Sequence, residues 1–460
     1  MFNIFLNDNS ASNIGNRELL SIDENNNDSK KNIELSDYSS VDNNYEDKIE
    51  KMNSSLNDEN KITTNIKTIS KTKKYYFYPI KFLLLLLCLF LIYDAIRTKE
   101  IDLNNYLDKT YGEEDLLKII KEKEGEMVNS SKSRRNEIQK EIENIYNIIE
   151  KIKKKKKEII NKNKKIIRDD GKLILACAYS TDNGYIYPTL VSMTSLVKNV
   201  GNNTFYNIYV LVSQDFTEYN KKILMSVEKN NTDHCKIYFI NMGNKYEGKD
   251  TNFRIPTAAY YRLDLHNILP NVDRVIYMDG DTAVFQDLSE LIFLDMKGNY
   301  ILGFLDSVPN ALRKYKIKNA VVLCSGVILM DLSALRKNNI TEKFNEFFEA
   351  NLGNIEQHDQ TTINVVCQGK ISTLPPKYGM WNFITFKVIK SINCEYPYWI
   401  RYNEKELSLA YEDPGILHYV IGKPFHKFLH KYYYNEWWEY ARKTDYYDEI
   451  CNYVNKKIKI

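Results

Sequence analysis

An apolar run, Arg274-Val-Ile-Tyr-Met278, stops abruptly at Asp279-Gly280-Asp281. Carboxylates at i and i+2 project to one side of an extended chain. At the end of a buried strand both cannot stay unpaired, because each buried charge costs several kcal/mol. A divalent cation resolves that conflict, and Gly280 lets a ligand approach the backbone closely. An Asp-Gly-Asp is also what a turn that merely ends a strand looks like. The surrounding elements have to decide between the two.

Those elements alternate. Strand-like apolar runs at 173–178, 208–212, 236–240 and 274–278 are interleaved with helical patterns at 188–200, 218–229 and 256–268. This is the grammar of an α/β domain with a mainly parallel sheet, whose ligands sit at the carboxyl ends of the strands. No G-x-G-x-x-G or G-x-x-x-x-G-K-[ST] occurs, so a glycine cradle for phosphate is not on offer.

The neighbourhood of the acid pair resembles retaining glycosyltransferase family 8. The string RVIYMDGDTAVFQDLSEL (274–291) joins an apolar strand, a D-x-D motif and a short helix. TDNGYIYPTLVSMTSL (181–196), PTAAYYRLDLHNILP (256–270), SGVILMDL (325–332), HDQTTINVV (358–366) and DPGILHYVIGKPF (413–425) are similar to the family's other blocks, in the right order. The resemblance implies a GT-A type, Rossmann-like nucleotide-sugar domain over 171–435.

It also implies roles. Asp279, Asp281 and His418 would ligate a metal that bridges to the diphosphate of a UDP-sugar. A mixed oxygen and nitrogen set suits Mn²⁺, with Mg²⁺ as the alternative. Gly422 and Lys423 fall in the phosphate motif, and Arg262 matches an arginine near the nucleotide. Asp182 would accept from the uracil N–H while Tyr185 stacks on the base. Asp306 and Asp359 match acids that contact the donor sugar. Gln360 matches the residue facing the anomeric carbon opposite the leaving group. An amide is a poor nucleophile, so the resemblance favours front-side attack assisted by the leaving diphosphate.

The chain departs from the family at three places. Cys324-Ser325-Gly326 stands where Asn-[SA]-Gly is common, and a thiol does not offer an amide's donor and acceptor together. His418 to Phe425 shortens the family's H-x-x-G-x-x-K-P-W, so Lys423 comes one residue early. Asp359-Gln360-Thr361 replaces the D-Q-D of many members.

With 460 residues, the chain has room for more than this domain. Residues 1–70 are expected to be a disordered cytoplasmic tail, since 1–60 holds 13 acidic and 5 basic residues among many Asn and Ser. YYFYPIKFLLLLLCLFLIY (75–93) is long enough for a transmembrane anchor. Lys71, Lys73, Lys74 and Lys81 precede or enter it, so the positive-inside rule predicts a type II orientation. The expected location is the Golgi or another secretory-pathway membrane, or a bacterial membrane in a prokaryote.

Residues 95–170 read as a helical stem. Ile138, Ile142, Ile145, Ile149, Ile152, Ile159 and Ile166 follow heptad steps, which suggests a coiled coil and a homo-oligomer. An amphipathic helix packed on its own domain gives the same pattern. The 9 Lys within 151–165 read as a solvated face, and the overall formal charge of only +3 argues against nucleic acid as a partner. The last segment, 436–460, is expected to be one C-terminal helix.

None of the 7 Cys lies in a C-x-x-C pair, which argues against structural zinc. The function expected is a hexosyltransferase acting from a UDP-sugar, of glucose or galactose type, on a glycan, protein or lipid acceptor. The alternative is a membrane-anchored coiled-coil interaction protein whose sugar-nucleotide domain is catalytically weak.

Overall fold

The structure is a computed structural model. It describes residues 113–459, apart from 248–256, 307–311, 318, 352–354, 356, 383–389, 391–392, 397–399 and 427–432. The expected tail (1–70), the expected anchor (75–93) and the start of the stem lie outside the described residues.

Seven strands form the main sheet in the order β3-β2-β1-β4-β7-β6-β8. They are β1 (Leu173–Thr181), β2 (Thr204–Val212), β3 (Cys235–Asn241), β4 (Arg274–Met278), β6 (Ile301–Leu305), β7 (Leu323–Asp331) and β8 (Ile371–Thr373). β1, β2, β3 and β4 run parallel, and β7 is antiparallel to both β4 and β6. β1 is buried along its last seven residues, as a central parallel strand covered on both faces must be. A second sheet joins β5 (Thr282–Val284), β10 (Ile416–His418) and β9 (Tyr378–Trp381) in the order β5-β10-β9.

Before the sheet comes a helical hairpin, α1 (Glu113–Val128) and α2 (Lys132–Lys162). Ser131 starts α2 as an N-cap, its hydroxyl accepting from the Arg134 N–H. Ile138, Ile142, Ile145 and Ile149 of α2 are buried, as the heptad steps predict. Their partners are Leu116, Ile119 and Ile120 of α1 in the same chain. This corrects the coiled-coil expectation: an intrachain helix covers the seam from Ile138 to Ile152 that self-association would use. Lys156 binds Glu290 at 2.6 Å and so fastens α2 to the catalytic domain.

Among the described residues no helix is long and apolar enough to cross a membrane. The longest, α2, has 31 residues but carries the lysines 153–157 in its last third. The expectation of a type II protein in a Golgi, other secretory-pathway or bacterial membrane is corrected on that finding.

Four further helices position the site. α3 (Ile186–Lys198) follows β1, α4 (Glu218–Lys229) follows β2, α5 (His358–Val366) carries Asp359 and Gln360, and a 3-10 helix, Thr257–Asp264, carries Arg262. The C-terminal segment is two helices, α6 (Tyr434–Arg442) and α7 (Tyr447–Lys459), where one was expected. Trp437 of α6 is fully buried.

Candidate active site

The chain leaves β1 towards β2 and β3 and returns as β4 on the other side of β1. A crevice opens at the carboxyl ends of strands where the order reverses in this way. β1 ends there in the 182–185 loop, and β4 ends there in Asp279. β7 runs antiparallel to β4, so its first residues come alongside: the Asp279 N–H donates to the Gly326 carbonyl at 2.8 Å. β10 pairs with β5 and sets His418 opposite Thr282, one residue past Asp281. Topology alone thus brings residues 139 apart in sequence, Asp279 and His418, to one corner.

Asp279, Asp281 and His418 each offer a ligand atom, and these atoms lie within 4.8 Å of one another. His418 Nε2 is 3.2 Å from Asp281 Oδ1 and 3.8 Å from Asp279 Oδ2. Asp281 Oδ1 is buried yet accepts no well-aligned hydrogen bond. A Cβ on Gly326 would come within 2.1 Å of His418 Cε1 and 2.7 Å of Asp279 Oδ2, so only glycine leaves this corner open. Two carboxylates and an imidazole, one buried oxygen without a hydrogen bond, around a space kept free of side chain are a donor set that fits a divalent cation.

The remaining oxygen of Asp281 is occupied. Oδ2 accepts from the Tyr185 hydroxyl at 2.9 Å and pairs with Lys423 Nζ. Burial opposes the charge on Asp281, but Lys423 and His418 overcome it and hold the carboxyl far below its usual range. Burial likewise opposes a charged His418, and Asp281 together with Cys324 raises it to about 10. Lys423 therefore reaches the acid pair despite the shortened motif, with Gly422 turning the chain before it at φ +62. Sγ of Cys324 lies 3.6 Å from His418 Nδ1.

A second layer stands behind Asp279. Arg262 is buried, and its guanidinium is committed to protein acceptors. Nη2 donates to Asp279 Oδ1 at 2.8 Å, Nη1 to the Ser325 carbonyl at 2.6 Å, and Nε lies 3.1 Å from Asp359 Oδ2. Burial disfavours the Arg262 charge, and the two aspartates more than restore it. Burial raises Asp359, with Arg262 pulling the other way. Arg262 and Asp359 are thus brought together as an interior ion pair that aims Asp279.

Gln360 is fixed at both ends of its amide. Oε1 accepts from the Ser325 N–H at 3.0 Å, and Nε2 donates to Asp306 Oδ2 at 2.9 Å. Asp306 is itself buried at the end of β6. Asp182 sits apart from this group: its Oδ1 accepts from the backbone N–H groups of Gly184 and Tyr185, both at 2.8 Å, and so shapes the 182–185 loop. Tyr185 turns its hydroxyl to Asp281 and its ring edge-on to Phe425, 5.6 Å between centroids.

The sequence reading missed one contributor, Tyr277. The Tyr277 hydroxyl donates to Asp279 Oδ1 at 3.0 Å. Its position two residues earlier on the same strand put it on the same side, a signal the i, i+2 rule contains. Gly280 was expected to admit a ligand, but a Cβ there would meet Thr189 Oγ1 at 2.3 Å, so it makes room for α3. A cavity of about 670 Å³ lined by Ile159, Lys165, Asn207 and Arg274 lies at the amino ends of β1 and β4, remote from this cluster.

The family model described as glycosyl transferase family 8 matches residues 176–428, more than half of the chain. General stress protein A of Bacillus subtilis is 25% identical over 285 residues, covering 60% of this chain and 95% of that protein. Lipopolysaccharide 1,2-glucosyltransferase of Escherichia coli is 25% identical over 314 residues, covering 64% of this chain and 83% of that protein. Among solved structures, galactosyltransferase LgtC in complex with donor and acceptor sugar analogs superposes with a TM-score of 0.50 at 18% identity, covering 59% of this chain and 96% of that one. That likeness establishes the shared GT-A type fold.

Proposed function

Because the chain belongs to glycosyl transferase family 8, we propose that it moves a hexose from a UDP-sugar to a hydroxyl of a glycan, protein or lipid, with retention of configuration. The observation that carries this reading is the convergence of Asp279, Asp281 and His418 on one open corner at the sheet's switch point. Those three residues would hold a divalent cation, Mn²⁺ ahead of Mg²⁺ given the imidazole ligand. When bound, it supplies Lewis-acid stabilisation of the departing diphosphate.

The chain's own groups do the rest. Lys423, beside Asp281, supplies a fixed positive charge where the leaving group becomes more negative. Arg262 and Tyr277 hold Asp279 in place from behind. Gln360, held at Asp306 and Ser325, is a poor nucleophile and serves as a rigid floor beneath the anomeric carbon. That arrangement supports front-side attack, with Asp306 and Asp359 arranging the sugar side of the site. The names of the Escherichia coli relative and of LgtC support glucose or galactose as the sugar.

The test is UDP release from a panel of UDP-hexoses by the full chain. Release should require a divalent cation, cease with chelator, return with Mn²⁺, and fall at least ~100-fold in Asp281→Asn. Absence of UDP release from every hexose donor, with Mn²⁺ present, would refute the reading.

A further inference from the structure

Helix α7 lies beyond residue 428, where the family match ends. One of its faces, Ile450, Tyr453, Val454 and Lys457, follows the i, i+3, i+4, i+7 spacing of a stripe turned to one side. Ile450 and Val454 are buried and seat the helix. Asn230 Nδ2 donates to Asp445 just before α7 at 2.9 Å, which ties the helix's start to the end of α4.

Of the other two residues of the stripe, Tyr453 reaches the site and Lys457 stands over its ring. The Tyr453 hydroxyl donates to the Gly184 carbonyl at 3.0 Å, within the loop shaped by Asp182. Its ring packs 5.3 Å from Tyr187 and 6.4 Å from Phe425, the residue whose ring meets Tyr185. One turn on, Lys457 Nζ sits 5.6 Å from the Tyr453 ring and is exposed. Phe425 in turn packs 5.0 Å from the His426 ring, and the His426 N–H donates to the Lys423 carbonyl at 2.9 Å, so Tyr453 and Lys457 stand against the segment that carries Lys423.

We propose that α7 completes the donor site: Tyr453 positions the 182–185 loop for the nucleoside, and Lys457 presents a second cation, beside Lys423, to the diphosphate. This rests on the donor reading above and extends it to a segment the family pattern does not supply. Tyr453 is a positioning residue acting through Gly184. Lys457 acts directly, as a long-range charge.

The test uses the full chain with Mn²⁺, titrated in turn with UDP and with uridine. Tyr453→Phe should weaken both about 3- to 10-fold, the worth of one hydrogen bond. Lys457→Gln should weaken UDP several-fold and leave uridine unchanged, and its effect should shrink at about 0.5 M salt, because the interaction is screened. Mn²⁺ affinity should be unaltered in both variants. A helix that merely props the domain would shift UDP and uridine together in Lys457→Gln, and that result would overturn the proposal. Wild-type UDP binding in both variants would also overturn it while leaving the donor reading intact. Failure of the unmutated chain to bind UDP would remove both.

Discussion

Sγ of Cys324 lies 3.6 Å from Nδ1 of His418, the ring nitrogen that does not face Asp281. An imidazole that ligates a metal through one nitrogen is oriented by whatever partners the other. For Nε2 to offer its lone pair, Nδ1 must carry the proton and the sulfur must accept it. Cys324 thus orients the ring from the position where the family resemblance has an asparagine. Cys324→Ala should weaken Mn²⁺ binding about 10-fold, and Cys324→Asn should restore most of it. Calorimetric titration measures this, and equal affinity in the alanine variant would show the sulfur to be a bystander.

Gly326 makes a sharper prediction. Its missing side chain leaves the space between His418 Cε1 and Asp279 Oδ2, which a methyl would enter at 2.1 and 2.7 Å. Gly326→Ala should abolish metal-dependent UDP release and cost about 1–3 kcal/mol of stability through overpacking. Denaturant melts read the second effect separately from the first. Normal turnover in this variant would mean that the corner is not the reaction site.

Arg262 is buried between two carboxylates, the half-buried Asp279 and the buried Asp359. Arg262→Met keeps the bulk and removes the charge. It should lower stability by about 3–5 kcal/mol, because the buried Asp359 and the half-buried Asp279 lose their shared partner. Arg262→Lys should recover part of the loss, since a single ammonium cannot reach all the acceptors that the guanidinium fork serves. A melting temperature within a degree or two of wild type for the methionine variant would contradict the ion-pair account.

Acid should destabilise the fold through His266. The ring is buried, its Nε2 lies 2.7 Å from the Thr341 hydroxyl, and its Nδ1 has no hydrogen-bond partner. Burial, with Arg336 and Lys245 adding to it and Asp264 opposing, lowers it from 6.5 to about 4. The unfolded chain therefore takes up the proton first. The contribution to stability is complete above pH 6.5 and is lost as pH falls towards 4, by an amount on the order of 3 kcal/mol. Urea midpoints across that window should fall less steeply in His266→Gln than in wild type.

Much of the site was legible because its chemistry is written in short, ordered strings. Asp279 and Asp281 share one turn, and His418 follows in a recognisable block, so the set could be named before its geometry was known. The parallel half of the sheet was legible for a similar reason: β1, β2, β3 and β4 are apolar runs separated by helical patterns. What could not be read was who faces whom. The stem's isoleucine seam is the same whether a second chain or α1 covers it, and only the fold shows Leu116, Ile119 and Ile120 doing so. Tyr185 reads as a ring for stacking, while its hydroxyl is bound to Asp281 across 96 residues. Arg262 reads as a nucleotide contact, and the fold places it among interior acceptors. Long-range partners of this kind leave no spacing in the chain to detect.

Pulsed electron paramagnetic resonance on the full chain loaded with one equivalent of Mn²⁺ addresses the core of the account. The three-residue cluster predicts a ¹⁴N coupling from one coordinated imidazole, lost in His418→Ala, with the bound ion itself lost in the Asp279→Asn, Asp281→Asn double variant. Tightly bound Mn²⁺ without any nitrogen coupling, or no binding by the unmutated chain, would contradict it.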